Sequence, residues 1–183
     1  MRFASLSRTL SGADHPAGSA GRCWVEAACG RDWMVGGREP CSAREGLSGD
    51  LLETWWGEMK RIVIKAGTVE VVAELNNSST AEAIWRGLPI TGSVTTWGEE
   101  IYFRIPVSCD LESSARDVLE LGELGYWPPG RAFCIFFGKT PISAPGEIRA
   151  ASAVTVVGQV LGDPKTFLEV RDGETVRLEG VPE

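Results

Sequence analysis

From residue 59 onward, apolar and polar positions alternate in short runs that are separated by Gly, Pro and Asn. The clearest run extends from Glu100 to Val107. One side of it carries Ile101, Phe103 and Ile105, and the other side carries Glu100, Tyr102 and Arg104. Because side chains alternate between the two faces of a strand, this pattern predicts a strand with one buried face. Counting similar runs, we predict about eight strands in this region.

Two segments have helical signals. Ser79 and Glu82 have the spacing of a capping box, and apolar residues follow at helical intervals until Gly87 and Pro89. Asp163 and the proline after it predict a second short helix that ends near residue 170. The polar and acidic stretch from 108 to 121 predicts a loop with a short helical turn.

The first 58 residues differ from the rest. They are rich in Gly, Ser, Ala and Arg and show neither the helical nor the strand period, so we expect no packed structure there. We predict that Met59 is the true start and that residues 1–58 are translated upstream sequence. The alternative is a genuine disordered tail. In both cases residues 59–183 form the domain.

Charge and composition exclude several classes of protein. The net charge of -7 argues against binding to nucleic acid, which requires clustered Lys and Arg. No apolar run approaches the roughly 18 residues that span a membrane, so we expect a cytoplasmic protein. The five cysteines include no CxxC pair, which predicts unpaired thiols. His15 is the single histidine, so the domain has no Ser-His-Asp or Cys-His arrangement, and we expect neither metal nor cofactor.

Several strings in the domain resemble known families. Residues 130–140 (GRAFCIFFGKT), 154–160 (VTVVGQV) and 102–106 (YFRIP) resemble segments of cyclophilins in order and spacing. Residues 98–103 (GEEIYF) and 126–130 (YWPPG) resemble a small prokaryotic cyclophilin-like family of unknown function. The resemblance implies a mainly β fold, a closed eight-stranded cyclophilin-like barrel with two short helices. A closed barrel would also remove exposed sheet edges.

The resemblance further implies a groove on the outside of that barrel. Arg104 falls at the position of the family's catalytic Arg, which stabilises a twisted X-Pro amide. However, Cys134, Ala132 and Val154 stand where cyclophilins have a pocket Phe, a Gln and a His. These departures put isomerase catalysis in doubt.

Two functions therefore stay open. The first is a binding protein that holds a peptide or a small molecule in the groove, and the alternative is a weak peptidyl-prolyl isomerase that relies on Arg104. The predicted ligand-binding residues are Glu100, Tyr102, Arg104, Tyr126, Trp127 and Pro128. A structural explanation exists for the same residues: solvated charges on a strand, a half-buried Trp127, and a rigid turn at Pro128-Pro129-Gly130. A small structural partner of another enzyme is a third possibility.

Overall fold

A computed structural model describes residues 22–25, 33–35 and 60–181 of the chain. The described part is mainly β, as predicted. Its strands are β1 Cys23–Val25, β2 Trp33–Val35, β3 Lys60–Ala66, β4 Val69–Leu75, β5 Ile90–Ser93, β6 Thr95–Thr96, β7 Glu100–Arg104, β8 Val107–Cys109, β9 Arg116–Leu119, β10 Glu123–Trp127, β11 Ala132–Phe136, β12 Ile148–Leu161 and β13 Thr175–Gly180. The helices are α1 Ser79–Arg86 and two short 3₁₀ helices, Pro128–Gly130 and Pro164–Glu169.

The first hairpin of the domain follows from its sequence. β3 and β4 pair in antiparallel register from Lys60 opposite Leu75 to Ala66 opposite Val69. Gly67 in the connecting turn has φ of +58°, a conformation that residues with a side chain rarely adopt. Alternate residues of β4 are buried, so this strand has one face in the core and one face towards solvent.

The main sheet is open, so the prediction of a closed barrel is wrong. Its strands run in the order β5-β13-β3-β4-β12-β10-β11-β7-β6, and β9 is attached through β12. Within the described residues no hydrogen-bonded ladder joins the two ends of this order. The free edge of β7 is taken by β6, the segment directly after β5, with Thr95 opposite Tyr102 and Thr96 opposite Ile101. β5 therefore meets β7 through packing, and a β-carbon on Gly92 would lie 2.9 Å from Cδ2 of Phe103.

The helix α1 forms where the sequence predicts it, but its cap is different. The N-cap is Ser78, whose hydroxyl accepts a hydrogen bond from the Ala81 N–H at 3.1 Å. Ser79 is the first helical residue and donates instead to Glu112 at 2.8 Å. The capping-box prediction for Ser79 and Glu82 is therefore wrong, and Glu82 pairs with Lys60 and Arg86.

The second helix is present as a 3₁₀ helix, and Asp163 caps it as predicted by accepting from Lys165 N at 2.9 Å. No helix forms within 108–121: this stretch contains the end of β8, a single turn in which Ala115 N donates to the Glu112 carbonyl at 3.0 Å, and the strand β9. β9 pairs with the first half of the long strand β12.

The sheet packs apolar side chains on both of its faces. The inner face carries the main core, whose largest fully buried members include Ile62, Ile64, Phe103, Phe133 and Tyr126. On the outer face a second, smaller buried cluster forms from Leu119, Ala132, Cys134, Phe136, Ala150 and Val154. The second cluster exists because the β9–β12 pair covers part of the outer face, and this layer positions the candidate site.

Part of the N-terminal segment packs against the domain, which differs from the expectation that residues 1–58 lack packed structure. β1 pairs with both β2 and β8, and Cys23 of β1 lies opposite Cys109 of β8. The two cysteines form a disulfide, so the prediction of unpaired thiols is wrong for this pair. Cys134 is a free, buried thiol. Met1, Met59, His15, Cys29 and Cys41 lie outside the described residues.

Candidate functional site

A pocket of about 140 Å³ opens on the outer face of the sheet, beside the second cluster. Four strands form it: β7 with the turn before it, β10, β11 and the first half of β12. Its lining residues are Trp97, Glu100, Tyr102, Trp127, Cys134, Ala150, Ala151, Ser152 and Val154. The β12 residues come from the point where the pairing register between β9 and β12 shifts, between Arg149 and Val154. Such an irregularity moves side chains away from a regular ladder and leaves space beside it.

Glu100 supplies a buried carboxyl group to this pocket. Its side chain points to the outer face, as the alternation of β7 predicts, yet only 5% of the residue is exposed. The turn before β7 is tied to the backbone of Glu100, because Trp97 N donates to the Glu100 carbonyl at 2.9 Å. Within the described part of the chain, Oε2 of Glu100 has no hydrogen-bond partner. A buried polar atom without a partner costs folding free energy, so such atoms are rare in folded proteins. Where one occurs, it often belongs to a functional site.

The burial of Glu100 changes its protonation. Desolvation raises the pKa of its carboxyl to about 7. A hydrogen bond from the Cys134 thiol lowers this pKa, but by less than desolvation raises it. Cys134 lies two residues along β11 from Phe136, which is opposite Glu100 in the ladder. Burial, followed by the nearby Glu100 carboxyl, raises the pKa of the Cys134 thiol well above its usual range. The thiol is therefore a protonated donor at neutral pH and not a nucleophile.

Trp127 forms the opposite wall, and its ring is fixed in two ways. Its indole Nε1 donates to the Ser152 hydroxyl at 2.7 Å, which links β10 to β12. The ring also lies against Gly130, where a β-carbon would be only 2.5 Å from Cε3 and Cζ3 of the indole. A glycine at position 130 is thus required for this ring position, which gives a structural reason for the string YWPPG.

The structure brings together three of the six predicted binding residues: Glu100, Tyr102 and Trp127 line the same pocket. Arg104 is exposed on the same face of β7 but does not line the pocket. Pro128 is half-buried in the 3₁₀ helix after β10.

Tyr126 lies on the other face of the sheet and is fully buried in the main core. Its hydroxyl donates to the Val107 carbonyl at 3.0 Å and accepts from the Cys109 N–H at 3.1 Å. Burial raises the pKa of this phenol. Tyr126 therefore connects β10 to β8 instead of forming a groove wall.

The sequence reasoning missed Trp97 and the β12 residues of the pocket. Trp97 is half-buried on the pocket wall. Ala151 and Ser152 carried no signal, since small residues are common on any surface, and Val154 was singled out only because it stands where cyclophilins have a His. Among the described residues, no group of three His, Cys, Asp or Glu side chains is arranged to hold a metal ion. No helix in the described ranges is long and apolar enough to cross a membrane.

Comparison with known proteins shows which family has this sequence pattern. A family model described as cyclophilin-like matches residues 60–179. The chain belongs to the cyclophilin-like family. The solution structure of the hypothetical protein AF2241 from Archaeoglobus fulgidus is similar to this cyclophilin-like protein, with 40% sequence identity and a TM-score of 0.60. That similarity covers 69% of the present chain and 98% of the archaeal one. No curated protein matches the chain.

Membership of the family confirms the resemblance that the strings at 98–103 and 126–130 suggested. In this cyclophilin-like domain those two strings carry four of the residues around the pocket: Glu100 and Tyr102 on one wall, Trp127 on the other, and Gly130 beneath its ring.

Proposed function

We propose that this protein is a binding protein whose ligand, a small molecule or a single side chain of a peptide, enters the outer-face pocket. The observation that carries the proposal is the unpartnered Oε2 of Glu100 within a pocket whose other lining residues are mainly apolar and aromatic. Ligand sites are typically concave and apolar, with a few polar groups that fix the orientation of the ligand. A cavity of about this volume holds a group of roughly the size of benzene.

Prolyl isomerisation has less support. The family mechanism uses an Arg beside the bound proline, and Arg104 does not line the pocket. In place of the aromatic pocket residue of cyclophilins, Cys134 presents a small, buried thiol. A protease-coupled assay with an X-Pro peptide tests this alternative, and we expect no rate above the uncatalysed background.

The binding proposal is tested by nuclear magnetic resonance. The labelled protein is screened against anionic, neutral and cationic compounds of benzene size, and the indole N–H signals of Trp97 and Trp127 are followed. Ala151 lies exposed at the rim of the pocket, so Ala151→Trp should obstruct the pocket without disturbing the core. Ala144 is exposed outside the pocket, and Ala144→Trp is the matched control.

We expect at least one class of compound to shift both indole signals in the native protein and in Ala144→Trp, but not in Ala151→Trp. The proposal is wrong if no compound shifts them, or if the shifts persist when the pocket is obstructed.

A further inference from the structure

The pocket contains an acidic group but no basic group, and this difference indicates the charge of its ligand. Among its nine lining residues the ionisable groups are Glu100, Tyr102 and Cys134, and none is a Lys or Arg. The neighbouring carboxylate Glu99 is already satisfied, because it pairs with Lys165 at 3.0 Å and accepts from Lys139 N at 2.8 Å. Glu100 has no such cation within the described residues.

We propose that the pocket binds a small organic ammonium ion, with the ammonium group at Oε2 of Glu100 and the apolar body between Trp97, Tyr102 and Trp127. This inference rests on the proposed binding function and names the class of its ligand. Hydrogen bonds between an ammonium group and a carboxylate are about twice as strong as neutral ones, and they gain further strength away from water. Such a cation would supply the hydrogen-bond donor that Oε2 of Glu100 lacks among the described residues.

The aromatic walls support a cation independently of the carboxyl group. The faces of Trp and Tyr rings attract ammonium groups, and sites that recognise organic cations are commonly built from several such rings. An anionic ligand would instead be repelled by the negative faces of these rings and by the Glu100 carboxylate. A neutral ligand would gain from the apolar wall but would leave the carboxyl without a charged partner.

The protonation of Glu100 predicts how the affinity changes with pH. Its raised pKa means that the carboxyl is largely neutral below about pH 6 and largely ionised above about pH 8. Tyr102 and the buried Cys134 thiol are the other ionisable groups that face it in the pocket. An ammonium ligand needs the ionised carboxylate, so its binding should strengthen about tenfold from pH 6 to pH 8. A ligand that accepts a hydrogen bond from the protonated Glu100 carboxyl would show the opposite trend.

The experiment compares three compounds that share a phenyl ring and differ in charge: benzylamine, benzyl alcohol and benzoate, titrated into the full-length protein at pH 6 and pH 8. We expect benzylamine to bind at least about tenfold more tightly than the other two at pH 8. We also expect Glu100→Gln to remove this preference, so that benzylamine binds the variant no more tightly than benzyl alcohol does. N-acetyl-lysine methylamide is a fourth probe: tighter binding than benzylamine would identify the lysine side chain of a protein as the source of the ammonium group.

The outcomes separate this inference from the proposal on which it rests. If benzyl alcohol or benzoate binds in the pocket at least as tightly as benzylamine, the pocket is a binding site but the ammonium assignment is overturned. If none of the four probes shifts the indole signals of Trp97 or Trp127, the ammonium assignment is also overturned. In that case the broader compound screen with Ala151→Trp tests whether the pocket binds any ligand at all.

Discussion

The burial of Glu100 makes a quantitative prediction about stability. The folded state raises the pKa of this carboxyl from an ordinary value of 4.5 to about 7, through desolvation. Between these two values the folded protein therefore binds more protons than the unfolded chain, and stability falls as pH rises. Each pKa unit corresponds to about 1.4 kcal/mol, so the ionised carboxyl costs the fold about 3 kcal/mol above pH 7. This penalty is absent below the ordinary pKa.

The perturbation that isolates this effect is Glu100→Gln, which keeps the shape of the side chain and removes its titration. Urea unfolding is measured for both proteins from about pH 4 to about pH 8.5, and the difference in unfolding free energy is plotted against pH. Other titrating groups cancel in that difference. We expect the variant to gain about 3 kcal/mol relative to the native protein over this range, with most of the change between pH 4.5 and pH 7.

Glu99 provides a control of opposite sign at the adjacent position. Hydrogen bonds from Lys165 and from the Lys139 backbone lower the pKa of Glu99. Its contribution is present above its ordinary pKa and is lost as pH falls, so Glu99→Gln should lose stability at neutral pH and match the native protein in acid. A flat difference curve for Glu100→Gln, or one that falls with pH, would refute the reasoning that Glu100 is desolvated in the fold.

Two of three further predictions concern contacts in the main core, and the third concerns the packing of the Trp127 ring at the pocket. Tyr126→Phe leaves two buried backbone groups without a partner and should lower the free energy of unfolding by about 1–3 kcal/mol, measured in urea; no loss would contradict the bridge between β10 and β8. Cys109→Ser opens the disulfide to Cys23 and should cost about 2–4 kcal/mol, so a reductant should lower the Tm of the native protein and not that of the variant. Gly130→Ala should displace the Trp127 indole and shift its N–H resonance, whereas an unchanged resonance would contradict the packing of the ring on Gly130.

The spacing of apolar residues along the chain correctly predicted the individual strand β7 and the helix α1. The alternation in β7 placed Ile101 and Phe103 in the core and Glu100 and Tyr102 on the other face, and the structure confirms this. The helix α1 also lies where its apolar spacing predicts it, although Ser78 and not Ser79 caps it.

The predictions that were wrong depend on contacts between distant segments. Closure of the barrel depends on which segment takes the edge of β7, and no local pattern shows that the two residues of β6 do so. The disulfide joins cysteines 86 positions apart, and the sequence gives no spacing rule for such a pair. The burial of Glu100 likewise requires the first half of β12 to lie over the outer face, which is a tertiary property.

One error at the site was avoidable. Tyr126 and Trp127 are consecutive residues of a strand, and consecutive side chains point to opposite faces. Predicting that both side chains bind a ligand in the same groove conflicts with that rule. Applied to β10, the rule assigns one ring to the core and one to the pocket, as the structure has it.

The account depends most on the claim that the outer-face pocket is organised around the carboxyl of Glu100 as a site for a ligand. A ¹³C resonance titration of the Glu100 side-chain carboxyl, with and without saturating benzylamine, tests it directly. We predict a pKa of about 7 for the protein alone and a clearly lower pKa with benzylamine bound, because the ammonium ion stabilises the carboxylate. A Glu100 carboxyl that titrates near its ordinary value and does not respond to benzylamine would contradict the account.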